Sequence, residues 1–203
     1  MTEVKICGIT QLDDARVAAD AGAAFVGFVL WPGSPRHIPI DGMRAIIAKL
    51  PHSVLPVGVF VNPAGEEIDA AVRAGIQLAQ IHGNETAWAS AITTDVMIVR
   101  AVHLGERDGE IRPAWPVGKI LLDAHDPEKH GGTGRTIDWS RARAIAETRQ
   151  VFLAGGLTPF NVAQAVREVK PFAVDVSSGV ESSPGIKDHG KVRAFIKAAK
   201  EQQ

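Results

Sequence analysis

Asp20–Phe28 reads DAGAAFVGF, and Arg73–Gly83 reads RAGIQLAQIHG. In both, a helix-forming segment ends at a glycine and an apolar run follows at once. Glycine just past a helix can take the left-handed conformation that closes the last turn. The Val, Ile, Leu and Phe that follow favour a strand. The two stretches are one repeated unit, a helix handing over to a strand. A chain that alternates these elements builds a parallel sheet with right-handed crossovers.

Outward from these two stretches, comparable runs recur at Val4–Cys7, Phe25–Leu30, Val54–Val61, Leu78–Ile81, Val96–Val102, Lys119–Asp123, Val151–Ala154 and Phe172–Val176. Several are almost continuously apolar, as strands covered on both faces are. Helix signals lie between them. Thr10 is placed to cap Gln11–Ala21, which Gly22 ends; Asn62-Pro63 opens a helix that Gly75 stops; Thr158-Pro159 opens Asn161–Val169. Eight units in 203 residues average about 25 residues each, at the short end for a (βα)8 barrel. The expected fold is therefore α/β, a (βα)8 TIM barrel forming one catalytic domain over residues 1–203. His103–Pro116 holds two glycines and two prolines, so the fifth crossover helix is expected to be degenerate. An open doubly wound sheet is the competing architecture, but no Gly-x-Gly-x-x-Gly follows the first strand.

A formal net charge of -1 gives no electrostatic case for nucleic acid or an anionic membrane. The single cysteine cannot close an intramolecular disulfide, so nothing points to an oxidising compartment. MTEVKICGIT lacks the basic start and apolar stretch of a signal peptide. The longest apolar runs are about half the ~20 residues that cross a bilayer. These features lead to an expected cytoplasmic location and no obligate protein partner.

In a (βα)8 barrel the active site lies where strands end and βα loops begin. The polar residues that fall there are Cys7, Arg36, His82, Asp123, Asp175 and Ser177. Strand alternation puts Lys5 with Cys7, Gln80 with His82, Leu121 with Asp123 and Asp175 with Ser177 on shared faces. Each residue has a structural reading as well as a chemical one. Cys7 could be an inert core thiol, and Asp123 a cap or turn former, although a carboxylate directly after Ile-Leu-Leu needs a partner or a function. Asp175 could hydrogen-bond Lys5, and His82 could serve the turn before Gly83. Arg36, in WPGSPRHI, is either a solvated side chain or a guanidinium for a carboxylate ligand. The other histidines show no ligand spacing, so no metal is expected. HGGTGRT, AGGLTP and SSGVE follow the sixth, seventh and eighth strands. Glycine lets the backbone turn its amides toward an anion, and barrels commonly bind phosphate after strands seven and eight. A phosphorylated small-molecule ligand is expected there.

The segments KICGIT, GFV…SPR, QIHG, LLDA, GGTG, FLAGGLTPFNV and DVSSGVE, in that order from residue 5 to residue 181, resemble phosphoribosylanthranilate isomerase, the barrel enzyme of tryptophan biosynthesis. The resemblance implies an Amadori rearrangement of N-(5-phosphoribosyl)anthranilate to 1-(2-carboxyphenylamino)-1-deoxyribulose 5-phosphate, with no cofactor. It implies Asp123 as general acid, Cys7 as general base and Arg36 as the holder of the anthranilate carboxylate. Backbone amides around Gly155-Gly156 and Ser178-Gly179 are assigned to the phosphate. His82, Asp175 and Ser177 are placed at the barrel mouth, with Asp175 set to orient a substrate hydroxyl. For the base to work near neutral pH, the thiol is expected to have a lowered pKa. A lid from the first or sixth βα loop fits the glycines at 131, 132 and 134.

Three rival readings remain at this level. A sister isomerase of histidine biosynthesis does the same rearrangement but resembles this chain with an aspartate where Cys7 stands. A Schiff-base aldolase would need Lys5 or Lys119 closer to the rim. A phosphate-binding or redox-sensing barrel would need neither an acid nor a base.

Overall fold

The computed structural model describes residues 1–83, 95–104, 119–124 and 138–201. The fifth crossover and the HGGTGRT loop lie outside the described residues. Eight parallel strands close into a barrel in chain order: β1 (Glu3–Cys7), β2 (Phe25–Val29), β3 (Leu55–Val61), β4 (Leu78–His82), β5 (Met97–Leu104), β6 (Lys119–Ala124), β7 (Gln150–Leu153) and β8 (Ala173–Val176). The pairing of β1 with β8, Lys5 opposite Asp175, closes the ring and excludes the open sheet. The described helices are α1 (Leu12–Asp20), α2 (Ile40–Ile47), α3 (Gly65–Arg73), α4 (Trp139–Ala146), α5 (Val162–Val169) and α6 (His189–Lys200). None is long and apolar enough to cross a membrane.

Alternation along each strand splits the apolar residues into two cores. Val4, Ile6, Val26, Phe28, Ile120 and Leu122 point outward and pack under the helices. Phe25, Val57, Leu78, Val99, Leu121 and Phe152 point inward and fill the barrel. This is why several strands read as almost continuous apolar runs: both faces are buried, each large side chain contributing roughly 1.5–3 kcal/mol. The barrel floor is aromatic, with the Phe25 and Phe152 rings 5.2 Å apart edge to face. Lys5, Gln80, His82, Asp123 and Asp175 are polar residues of the inward face, and all are buried.

Both glycines in the repeated unit end helices as expected, Gly22 with φ 95° and Gly75 with φ 112°. The starts differ. The cap of α1 is Gln11, not Thr10; the Thr10 hydroxyl donates instead to the Gly185 carbonyl at 2.5 Å. Ala64 precedes α3, its amide donating to the Glu67 carboxylate at 2.7 Å, while Asn62 takes φ 47°. After β8 a short 3-10 turn (Ser178–Val180) leads into a hairpin of β9 (Glu181–Ser183) and β10 (Ile186–Lys187). That hairpin brings Glu181 and Lys187 to the barrel mouth.

Candidate active site

A cavity opens at the C-terminal ends of the strands, and every residue expected at the site borders it. Cys7 ends β1, His82 ends β4, and Asp123 lies near the end of β6. The thiol and the Asp123 carboxylate thus enter one space from strands separated by β7 and β8. Gly8 turns the chain away with φ 75°; a Cβ there would stand 2.8 Å from Cδ of Arg36 and 2.9 Å from Oγ of Ser177. The tight turn beneath the mouth therefore requires glycine.

Arg36 does not extend into solvent. Its Nε donates to Oε1 of Glu181 at 2.8 Å and Nη2 to Oε2 at 2.7 Å, a bidentate pair with side chains 16% and 5% exposed. Lys187, fully buried, donates to the same carboxylate at 2.9 Å. Burial alone would raise the Glu181 carboxyl, but Arg36 and Lys187 outweigh it and hold it below its ordinary value. The guanidinium is thereby fixed at the cavity edge with Nη1 left over, since none of its described hydrogen bonds uses that nitrogen. Such a pre-oriented fork suits a planar carboxylate.

Two loops form the opposite wall. Gly155 and Gly156 take φ 84° and 61°. Asn161 clamps that loop, its Nδ2 donating to the Gly156 carbonyl at 3.0 Å while Oδ1 accepts from the Thr158 amide at 2.7 Å. A Cβ at Gly179 would run into the Leu157 carbonyl oxygen, so the loops after β7 and β8 fit together only because residue 179 has no side chain. Ser177 Oγ and Gln80 Oε1 are buried at this site with no hydrogen-bond partner among the described residues. An unmade buried hydrogen bond costs about 1–3 kcal/mol, so both are poised to bond a polar ligand. The Gln80 amide nitrogen lies 2.9 Å from Nε2 of His82.

Asp175 pairs with Lys5 at 3.0 and 3.1 Å, from the adjacent strand. The thiol departs from expectation. Burial raises Cys7 above its ordinary value, Lys5 opposes that rise, and Asp175 adds to it, so the net shift is upward. A strand end at 7% exposure gives the thiolate too little solvent for its pKa to fall. Among the described residues no group of three or more His, Cys, Asp or Glu side chains is arranged to hold a metal ion.

This site sits within a whole-chain likeness. The family model for N-(5'-phosphoribosyl)anthranilate isomerase matches residues 4–198. The chain belongs to the phosphoribosylanthranilate isomerase family. It is 46% identical to the isomerase of that name from Geobacter metallireducens over 203 residues, covering 98% of this chain and 100% of that one. The Geobacter sulfurreducens isomerase is 47% identical, with 98% and 99% covered. Among solved structures, the Thermus thermophilus phosphoribosylanthranilate isomerase superposes with a TM-score of 0.87 at 38% identity over the full length of both chains. A phosphoribosylanthranilate isomerase in complex with reduced 1-(o-carboxyphenylamino)-1-deoxyribulose 5-phosphate matches with a TM-score of 0.84 at 38% identity, covering 99% of this chain and 100% of that one. Family membership makes this chain an isomerase of tryptophan biosynthesis with a TIM-barrel fold.

Glu181, Lys187 and Asn161 join the phosphoribosylanthranilate isomerase site without having been singled out in the sequence, whereas Gln80 was placed there only as the residue sharing a face with His82. Glu181 had a signal, since it closes the SSGVE stretch two residues after Gly179. Lys187 had none, because only the hairpin brings it to Glu181.

Proposed function

We propose that the chain catalyses the Amadori rearrangement of N-(5-phosphoribosyl)anthranilate to 1-(2-carboxyphenylamino)-1-deoxyribulose 5-phosphate, with Asp123 as general acid and Cys7 as general base. The observation that carries this is the cavity shared by one thiol and one carboxylate from separated strands. An aldose-to-ketose isomerisation needs a group that gives a proton and another that takes one. Asp123 protonates the furanose ring oxygen, the C1'–O bond breaks, and the anilino nitrogen lone pair forms the iminium. The cationic iminium acidifies C2', and the Cys7 thiolate removes that proton to give an enolamine, which tautomerises to the ketone. Positioned proton transfers of this kind contribute ~10²–10⁴-fold each.

The remaining groups hold the substrate. Arg36, fixed by Glu181, takes the anthranilate carboxylate on its remaining edge. Backbone amides around Gly155-Gly156 and Ser178-Gly179 take the phosphate, the positive-φ glycines allowing close approach. Ser177 and His82 border the ribose between the two anion sites. Asp175 is committed to Lys5, so its hydroxyl-orienting role uses lone pairs that the ion pair leaves. The ligand is a phosphorylated small molecule, and no macromolecular partner is needed for the chemistry.

The test is loss of phosphoribosylanthranilate fluorescence, with the substrate generated in situ, on adding purified protein. Rapid loss is expected. A protein that leaves the fluorescence unchanged, yet binds inorganic phosphate at the cavity, would overturn the isomerase reading in favour of a binding barrel.

A further inference from the structure

We propose that Lys5 is a positioning residue that sets the ionisation of Cys7, its ammonium held at the thiol by Asp175. This rests on the reading of Cys7 as the base. Lys5 is wholly buried, an uncommon place for an ammonium without a task. It precedes Cys7 by two residues on β1, so both side chains share the inward face. The neighbouring strand supplies the space. Cys7 lies in register with Gly27 of β2, and a Cβ at Gly27 would stand 2.8 Å from Sγ of Cys7 and 3.1 Å from Nζ of Lys5. The two atoms therefore flank the point that a larger residue at position 27 would occupy.

Asp175 fixes the other side of the ammonium through both carboxylate oxygens. Burial alone would lower the Lys5 pKa, Asp175 opposes it most strongly, and the net shift is upward. The charged groups around the thiol are Lys5 on its own strand, Asp175 on β8, Lys187 on β10 and Arg36 in the loop after β2. Arg36 and Lys187 are both engaged by Glu181. Lys5 is the cation on the thiol's own strand, and its charge lowers the Cys7 pKa by more than Asp175 raises it. In the resting state the trio holds a thiol, an ammonium and a carboxylate. When the thiol gives its proton to water in the cavity that it borders, the new negative charge is matched by an ammonium already in place.

Because Cys7 is the sole cysteine and borders the cavity, its ionisation can be read by the pH dependence of iodoacetamide alkylation without turnover. Lys5→Met should move the alkylation midpoint up by about one pH unit or more, and Asp175→Asn, which releases the ammonium, should move it up by less. A salt bridge that only ties β1 to β8 would change stability and leave the midpoint where it is. Where Lys5→Met folds poorly, Lys5→Met/Asp175→Asn removes both charges at similar volume and should still shift the midpoint up. Unmoved midpoints in folded variants, or a downward shift in Lys5→Met, would overturn the proposal. Failure of the underlying reading would show elsewhere, as normal turnover by Cys7→Ala. With both intact, the acid limb of the kcat/KM profile should follow the alkylation midpoint in each variant.

Discussion

Replacing Glu181 separates the support of the site from its chemistry. Its carboxylate is the common partner of Arg36 and Lys187, at 2.7–2.9 Å. Glu181→Ala strands a fully buried ammonium and a largely buried guanidinium, and breaking a buried pair in this way costs ~3–5 kcal/mol. With a urea m-value of roughly 2 kcal/mol/M, the unfolding midpoint should fall by about 2 M. Glu181→Gln keeps the volume and one acceptor oxygen, and should lose about half as much. In the folded Gln variant the guanidinium is no longer held on two sides. With Arg36 assigned to the anthranilate carboxylate, a group remote from the reacting carbons, KM is predicted to rise ~10-fold with a smaller change in kcat. Urea titration followed by circular dichroism and steady-state fluorescence assays read both quantities. A folded Glu181→Gln variant with lost stability and unchanged KM would refute the positioning of Arg36 by Glu181.

Further expectations concern pH and the anion loops. Because the folded-state pKa of Glu181 is depressed, its contribution to stability is present above the unfolded carboxyl value of about 4.3 and is lost as pH falls through the folded one. Acid titration should therefore destabilise the wild type more steeply below that value than it does Glu181→Gln; parallel curves would contradict the assignment. Gly179→Ala forces a Cβ onto the Leu157 carbonyl oxygen, and should weaken competitive inhibition by inorganic phosphate at least ~10-fold, a loss of about 1.4 kcal/mol. Asn161→Ala removes the clamp on the 155–158 loop and should raise KM with little change in global stability, as judged by thermal melting.

The barrel was legible because its strands are buried on both faces, which leaves eight mainly apolar runs punctuated by glycines such as Gly22 and Gly75. The mouth was legible because Cys7, His82, Asp123 and Asp175 are polar interruptions at the ends of those runs. Helix starts were less so. Thr10 looks like a cap, but the β9–β10 hairpin claims its hydroxyl, and no local pattern announces a contact 175 residues away. The same distance hides the coupling of Arg36 to Glu181, 145 residues on. The direction of the Cys7 shift was also out of reach. It depends on how far burial outweighs Lys5, a balance set by packing around the thiol rather than by residue type.

The most direct test of the acid–base assignment is single-turnover loss of phosphoribosylanthranilate fluorescence in Cys7→Ala and Asp123→Asn, with folding confirmed by circular dichroism. Each variant should lose roughly 10²–10⁴-fold in rate. Either one turning over at the wild-type rate would contradict the pairing of this thiol with this carboxylate.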